Sequence, residues 1–214
     1  MSRLVARCFS ISIDGYGAGA EQSLSDPMGK GGMALHSWFL ATKTFQAMHG
    51  ARGGDADSIN ESFATKGFEN IGAWILGRNM FGPVRGPWPD YEWKGWWGDV
   101  PPYHCPVFVL THHARPDLQL SDTTFHFVTD GLEAAVARAK AAAGPGDVRL
   151  GGGVATLREA FQGRYLDEAH IAVSPVVLGR GEAVFQGLDL PSLGYRVLDQ
   201  TAGEGANHIV IGRA

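Results

Sequence analysis

Leu150-Gly151-Gly152-Gly153-Val154-Ala155 decides the fold, because its three glycines stand between a strand-like run, Asp147-Val148-Arg149-Leu150, and a helix-like run over residues 154–162. Without a Cβ, glycine reaches dihedrals closed to other residues and lets a ligand's oxygens approach the main chain. The unpaired N–H groups of a helix start favour negative charge. Strand, glycine turn and helix in this order are the makings of an anion hole, although a glycine run also serves as an ordinary tight turn. The spacing is not G-x-G-x-x-G, and no acidic residue follows a second strand about 20 residues on, so a Rossmann fingerprint is excluded.

Outward from this turn, apolar residues at Val5, Phe9, Ile11 and Ile13 alternate as in a strand ending at Asp14-Gly15. The Gly-, Ser- and Asp-rich stretch to about residue 32 has no period and reads as a surface loop of lid or binding-loop length. Residues 33–48 read as a helix stopped at His49-Gly50, and Ser58-Ile59-Asn60-Glu61 is a capping box opening a second helix to about Lys66. Trp74-Ile75-Leu76-Gly77-Arg78 and Val107-Phe108-Val109-Leu110-Thr111 are continuous runs of strand length, as parallel strands buried on both faces show. A strand over residues 124–128 follows. Asp130 then caps a helix carrying Leu132, Ala135, Val136 and Ala139 on one face as far as Gly144-Pro145-Gly146. Residues 169–178, 195–199 and 208–211 read as three successive antiparallel strands. The pattern predicts an α/β fold of about eight strands and four helices, a mostly parallel sheet with an antiparallel C-terminal end.

The 214 residues suit one domain, 1–214. A formal charge of −4 and 18 Lys+Arg without a basic block give no support to a nucleic-acid or anionic-membrane partner. No apolar run approaches the ~18 residues of a membrane span, and arginines break the N-terminal segment, which reads as cytoplasmic. Cys8 and Cys105 lack a CxxC and suit buried thiols in a reducing compartment.

Taken together, Ile75-Leu76-Gly77-Arg78-Asn79-Met80-Phe81, Val109-Leu110-Thr111-His112 and Leu150-Gly151-Gly152-Gly153-Val154-Ala155 stand in the order found in the dihydrofolate reductase superfamily. Residues 167–181, with Ser174-Pro175-Val176-Val177-Leu178-Gly179-Arg180-Gly181, and Ser10-Ile11-Ser12-Ile13-Asp14-Gly15 more closely resemble the reductase domain of the bacterial bifunctional riboflavin-biosynthesis protein. The resemblance covers nearly the whole chain, apart from residues 19–60 and 83–104. It implies a three-layer α/β/α sandwich, NADPH as cofactor and a homodimer. By position, Gly77 and Arg78 match the turn that meets the cofactor phosphates. Thr111 and His112 match the strand end beside the adenosine 2′-phosphate, and Gly151, Gly152, Gly153, Val154 and Ala155 match the pyrophosphate turn. A guanidinium just past a buried strand suits that role as a fixed, permanently charged fork; the plainer use of Arg78 is a surface ion pair.

The implied activity is a stand-alone NADPH-dependent reductase delivering hydride to a C=N or C=O of a small heterocyclic substrate, as in the pyrimidine reductase of riboflavin biosynthesis. The zinc-deaminase motifs H-x-E and P-C-x-x-C are absent. Asp14 and His36 are the candidate proton donors, with an ordered water as the alternative, and Trp38, Phe39 and Trp97 the candidate substrate contacts. Residues 35–40 hold no acid where dihydrofolate reductases carry one. A dihydrofolate or pterin reductase would therefore need Asp14 or Glu61 as substitute, and a non-catalytic NADPH-binding protein stays open. Asp14 also suits an Asx-turn. Trp88, Trp93, Trp96 and Trp97, with Tyr91 and Tyr103, crowd residues 83–106, where they either pin a long loop or close over a ligand. The spacing of His104, Cys105, His112 and His113 matches no zinc pattern, so no metal is expected.

Overall fold

The structure, a computed structural model, describes residues 2–82 and 85–213. Its elements are β1 (Leu4–Ser12), β2 (Tyr16–Gly19), a 3-10 turn (Gly32–His36), α1 (Ser37–Leu40), α2 (Lys43–Met48), α3 (Ile59–Phe68), β3 (Ile71–Gly77) and α4 (Arg78–Phe81). There follow β4 (Val107–Leu110), β5 (Leu118–Leu120), β6 (Thr123–Val128), α5 (Gly131–Ala142), β7 (Asp147–Gly152) and α6 (Val154–Gln162). Last come β8 (Glu168–Ser174), β9 (Gly181–Ala183), β10 (Tyr195–Gly203) and β11 (Ala206–Arg213). Nine strands form one mixed sheet in the order β10-β11-β8-β1-β7-β3-β4-β6-β5, and β2 pairs only with β9. The run from β1 to β6 is parallel and both ends are antiparallel, the expected α/β sandwich. Strands β2, β5 and β9, at four, three and three residues, were too short to show a period in the sequence. The chain divides into two compact units, Met1–Ala6 with Asn70–Asp167, and Arg7–Glu69 with Glu168–Ala214.

In the first unit Ala73, Trp74, Ile75 and Leu76 are buried in succession on β3, as are Val107, Phe108 and Val109 on β4. Strands covered on both faces require this. Helix α5 packs on β3, β4 and β7 and buries Leu132, Ala135, Val136 and Ala139, the expected stripe. Asp130 makes no side-chain cap bond; the helix opens at Gly131, whose φ is +86°. Strand β7 runs past Leu150 because Gly152 still pairs with Leu76. Ile75 pairs with Leu150, so Gly151 is the extra residue of a β-bulge.

In the second unit the expected helix over 33–48 is three short pieces. Buried Thr42 breaks it, donating its hydroxyl to the Phe39 carbonyl at 2.6 Å while accepting the Phe45 N–H at 3.2 Å as cap of α2. The capping box is half formed. Ser58 Oγ accepts the Glu61 N–H at 3.1 Å, but the Glu61 carboxylate turns to the N–H and hydroxyl of Thr44 and the hydroxyl of Thr65. The stretch expected as an open lid is held by backbone contact. Strand β2 pairs with β9, and a Cβ on Gly19 or Gly181 would collide with the carbonyl oxygens of Lys30 and Ala18.

A buried polar chain spans this unit. Cys8, left-handed within β1 at φ 56°, donates its N–H to His170 Nδ1 at 3.1 Å. A backbone N–H can only donate, so the direction of every later bond is fixed. His170 Nε2–H donates to His208 Nδ1 at 2.9 Å, His208 Nε2–H to Asn60 Oδ1 at 2.9 Å, and Asn60 Nδ2 to the Glu204 carbonyl at 2.8 Å. Phe63 stacks on both imidazoles at 4.5 and 4.3 Å. Burial pushes the His208 imidazole down to about 4, so it folds neutral. Between about pH 4 and 6.5 the unfolded chain binds the proton that the folded chain refuses, and stability falls as pH falls through that window. Chemical denaturation at pH 7 and pH 5 is expected to show a loss of about 1–2 kcal/mol through this group, allowing for partial screening. Replacement of His208 by Gln should remove that pH-dependent increment; an unchanged increment would assign the acid loss elsewhere.

Candidate cofactor and active site

The first unit sets three turns side by side at the carboxyl ends of adjacent parallel strands. Gly77 lies level with Leu110 in the β3–β4 register, and Leu76 lies level with Gly152 in the β3–β7 register. The residues that follow, Arg78, Thr111 and Gly153, therefore open three neighbouring loops at the edge where α/β sheets take ligands. Gly77 makes the close approach possible. A Cβ there would stand 2.6 Å from Thr156 Oγ1 and 3.1 Å from the Gly153 nitrogen. A Cβ on Gly151 would stand 2.6 Å from Leu76 Cδ2, and Gly152 sits at φ +125°, which L side chains rarely adopt. The Gly152–Gly153 peptide is cis. A Cβ on Gly153, by contrast, would meet nothing within 4 Å.

Gly153 caps α6 with no side chain, and the first turn carries no acid. The first bond into that turn is from the Leu157 N–H to the Gly153 carbonyl at 3.0 Å, so the preceding amides have no partner within the helix. Val154 is buried and Ala155 exposed. Among the described residues no acid of the first turn of α6 takes these donors, and the space above Gly153 is open. On the next strand end, Thr111 is buried, and its hydroxyl exchanges bonds with the His113 backbone at 3.2 Å, leaving His112 exposed.

Arg78 begins α4, its guanidinium carbon 2.9 Å from the centroid of Trp88. The guanidinium lies over the indole as a cation–π pair. Burial, then the like charge of Arg115, lowers Arg78 to about 10, and it stays a cation at neutral pH. The tryptophan segment is fastened to this turn. Trp88 Nε1–H donates to the His113 carbonyl at 2.8 Å, Trp93 to Phe81 at 2.8 Å and Trp96 to Asn79 at 3.2 Å. A Cβ on Gly82 would stand 2.6 Å from Trp93 Nε1, so the indole docks only because Gly82 is there. Pro83 and Val84, which open the expected 83–106 segment, lie outside the described residues. Trp97 is 38% exposed, the most open indole of this segment, and hydrogen-bonds the Tyr103 side chain. Among the described residues no group of His, Cys, Asp and Glu could hold a metal ion, and burial pushes the Cys105 thiol up to about 11.

The remaining candidates belong to the second unit. Asp14 accepts the Leu178 N–H at 3.1 Å and the Gly179 N–H at 2.6 Å, tying the end of β1 to that loop rather than closing an Asx-turn on Gly15. The Ser12 hydroxyl, with these backbone bonds, holds its carboxyl below the usual range, so at neutral pH it is an anion. Burial lowers His36 to about 4, and its buried Nε2 has no hydrogen-bond partner among the described residues. Trp38 corrects the expectation of a substrate contact. It is 2% exposed, packs with Ala64, Ala172 and Ala206, and donates to Ser10 Oγ at 2.9 Å, as a core residue does. Phe39 is half-buried at the edge of the same cluster. Glu61, the substitute acid for a pterin reductase, has its carboxylate taken by three donors on α2 and α3. No local pattern in the chain signals that Thr156 meets Gly77 or that Trp88 lies on Arg78.

Residues 3–208 match the RibD C-terminal domain family. Among solved structures, a protein of Shewanella sp. PV-4, provisionally named for riboflavin biosynthesis, aligns over 100% of this chain and 99% of its own at 20% identity, with a TM-score of 0.61. The diaminohydroxyphosphoribosylaminopyrimidine deaminase/5-amino-6-(5-phosphoribosylamino)uracil reductase of Thermotoga maritima aligns over 100% of this chain at 14% identity and TM-score 0.53. This chain spans 57% of that protein's length. An Enterococcus faecalis dihydrofolate reductase, solved with NADP(H), covers 68% of this chain and 76% of its own at 18% identity, with a TM-score of 0.45. No curated protein matches.

Gly77→Ala is expected to destabilise the protein by about 1–3 kcal/mol, because the new methyl group overpacks against Thr156. Adding Thr156→Ala removes the colliding hydroxyl and should recover at least half of that loss in denaturant titrations. Strictly additive losses would show that the two residues do not meet.

Proposed function

The chain belongs to the RibD C-terminal domain family, a family of reductases, and from that premise we propose that it is an NADPH-dependent reductase of a small heterocyclic C=N or C=O compound. The substrate class nearest to this reading is the ribosylaminopyrimidine of riboflavin biosynthesis. The observation that carries the reading is the apposition of Gly77 to Gly153 and Thr156, with Leu110–Thr111 level beside them. This supports a dinucleotide reading, with amide donors of α6 for a pyrophosphate, a cation at Arg78 for a phosphomonoester, and open space where a Cβ on Gly153 would stand.

When bound, NADPH supplies the hydride, and the chain's work is to hold, orient and exclude water. Gly151, Gly152, Gly153, Val154 and Ala155 would hold the pyrophosphate, with Gly77 and Arg78 across from them and Thr111 and His112 at the adenosine end. Asp14 is held as an anion by Ser12, Leu178 and Gly179, so it would orient a water rather than donate its own proton. His36 is neutral above about pH 5 and presents a buried Nε2 that can face a substrate nitrogen or oxygen. Phe39 and Trp97 remain the proposed ring contacts. The engagement of Glu61 by Thr44 and Thr65 weighs against a pterin reductase. A homodimer in the cytoplasm completes the reading.

NADPH should bind more tightly than NADH in calorimetric titration, since Arg78, with Arg115 close enough to lower its pKa, offers positive charge for the expected 2′-phosphate. Arg78→Ala should weaken NADPH by about 1.5–3 kcal/mol without unfolding the protein. Substrate-dependent NADPH oxidation, screened over phosphoribosylaminopyrimidines, pterins and folates, tests the activity. Turnover of pterins alone would overturn the substrate class, and equal affinity for NADH would overturn the cofactor.

A further inference from the structure

Arg115 follows β4 and is 7% exposed, yet no carboxylate contacts it among its described hydrogen bonds. Its Nη2 donates to the carbonyls of Tyr91 and Trp93, both at 2.7 Å. Four rings surround the guanidinium carbon, with centroids at 4.9 Å (Trp88), 5.0 Å (Phe127), 5.3 Å (Phe81) and 5.6 Å (Tyr91). Burial disfavours the Arg115 cation, Asp90 and Tyr91 oppose that electrostatically, and aromatic faces and carbonyls offset the cost in part. The cage has a second occupant. Trp88 touches Arg115 on one side and lies on the Arg78 guanidinium, at 2.9 Å. Arg115 thus holds the backbone at Tyr91 and Trp93, just after Trp88, while the Trp88 indole N–H reaches the His113 carbonyl beside Thr111.

Resting on the NADPH reading, we propose that Arg115 is the positioning residue of the phosphomonoester site: it clamps Trp88 flat on Arg78, so that the Arg78 guanidinium presents its edge to a 2′-phosphate. A free arginine side chain samples many rotamers. One whose face is covered by an indole keeps its N–H groups in a single plane, and a guanidinium binds phosphate through that plane. Arg115 also adds a second positive charge close enough to depress the Arg78 pKa, so a dianion is favoured there over a neutral hydroxyl. The clamp needs a planar fork that reaches two carbonyls at once. Lysine keeps the charge and cannot make that fork.

The test compares adenosine 2′,5′-bisphosphate with adenosine 5′-diphosphate, by calorimetry, in the wild type and in Arg115→Lys. The wild type should favour the 2′-phosphorylated probe. In Arg115→Lys that preference should fall at least fivefold, and a smaller fall overturns the proposal, because a merely structural arginine would weaken both probes together and leave their ratio alone. Should Arg115→Lys fail to fold, Trp88→Leu carries the same test, since it uncovers Arg78 while keeping Arg115, with the same fivefold threshold. A wild type that binds the two probes equally overturns both this proposal and the NADPH reading. A wild type with a clear preference that both variants retain overturns the proposal alone.

Discussion

Where β3 ends, the main chain passes so close to the start of α6 that a Cβ at residue 77 would press on the Thr156 hydroxyl and the Gly153 nitrogen, and the arrangement of the parallel strand ends depends on that contact. With glycine there, the β3 turn lies against the Gly153 nitrogen and the Thr156 hydroxyl, and its amides share one rim with those of α6. The bulge at Gly151 and the positive φ of Gly152 bring β7 to the same rim. A set of backbone donors fixed by packing costs little to organise when an anion arrives.

The tryptophan segment is a consequence of the same rim. Helix α4 has four residues, too few to hold itself, and its Asn79 and Phe81 carbonyls are bonded by Trp96 and Trp93 from outside. Each indole contributes a large apolar area together with one donor, so a chain without regular structure can be fastened at several points. Arg115 gathers the segment from beneath. Of the four tryptophans within ten residues, two are thus spent on the carbonyls of the short helix that carries Arg78, and a third, Trp88, lies on Arg78 itself.

Much of this was legible in the sequence. The continuous apolar runs at 74–77 and 107–110 and the stripe on α5 declared their burial, and the glycine turn declared its place before α6. The positions that escaped depend on contacts between distant residues. Nothing local in residues 33–48 announces that Thr42 would be buried and spend its hydroxyl on both flanking turns. Trp38 packs against Ala64, Ala172 and Ala206, which lie far along the chain, and a lone tryptophan on a helix does not reveal which way it faces. Glu61 reads as the second half of a capping box until Thr44 takes its carboxylate. Cys8 sits in an alternating strand, yet its left-handed backbone is set by His170, 162 residues away.

Backbone amide chemical shifts recorded during titration with NADP+ examine the rim residue by residue. The largest shifts should fall on Gly153, Val154, Ala155, Gly77 and Arg78, with Trp88 Nε1–H moving as Arg78 takes the 2′-phosphate. Saturable binding that leaves these amides unmoved, with shifts gathered elsewhere on the chain, would contradict the assignment of the glycine turn to the pyrophosphate.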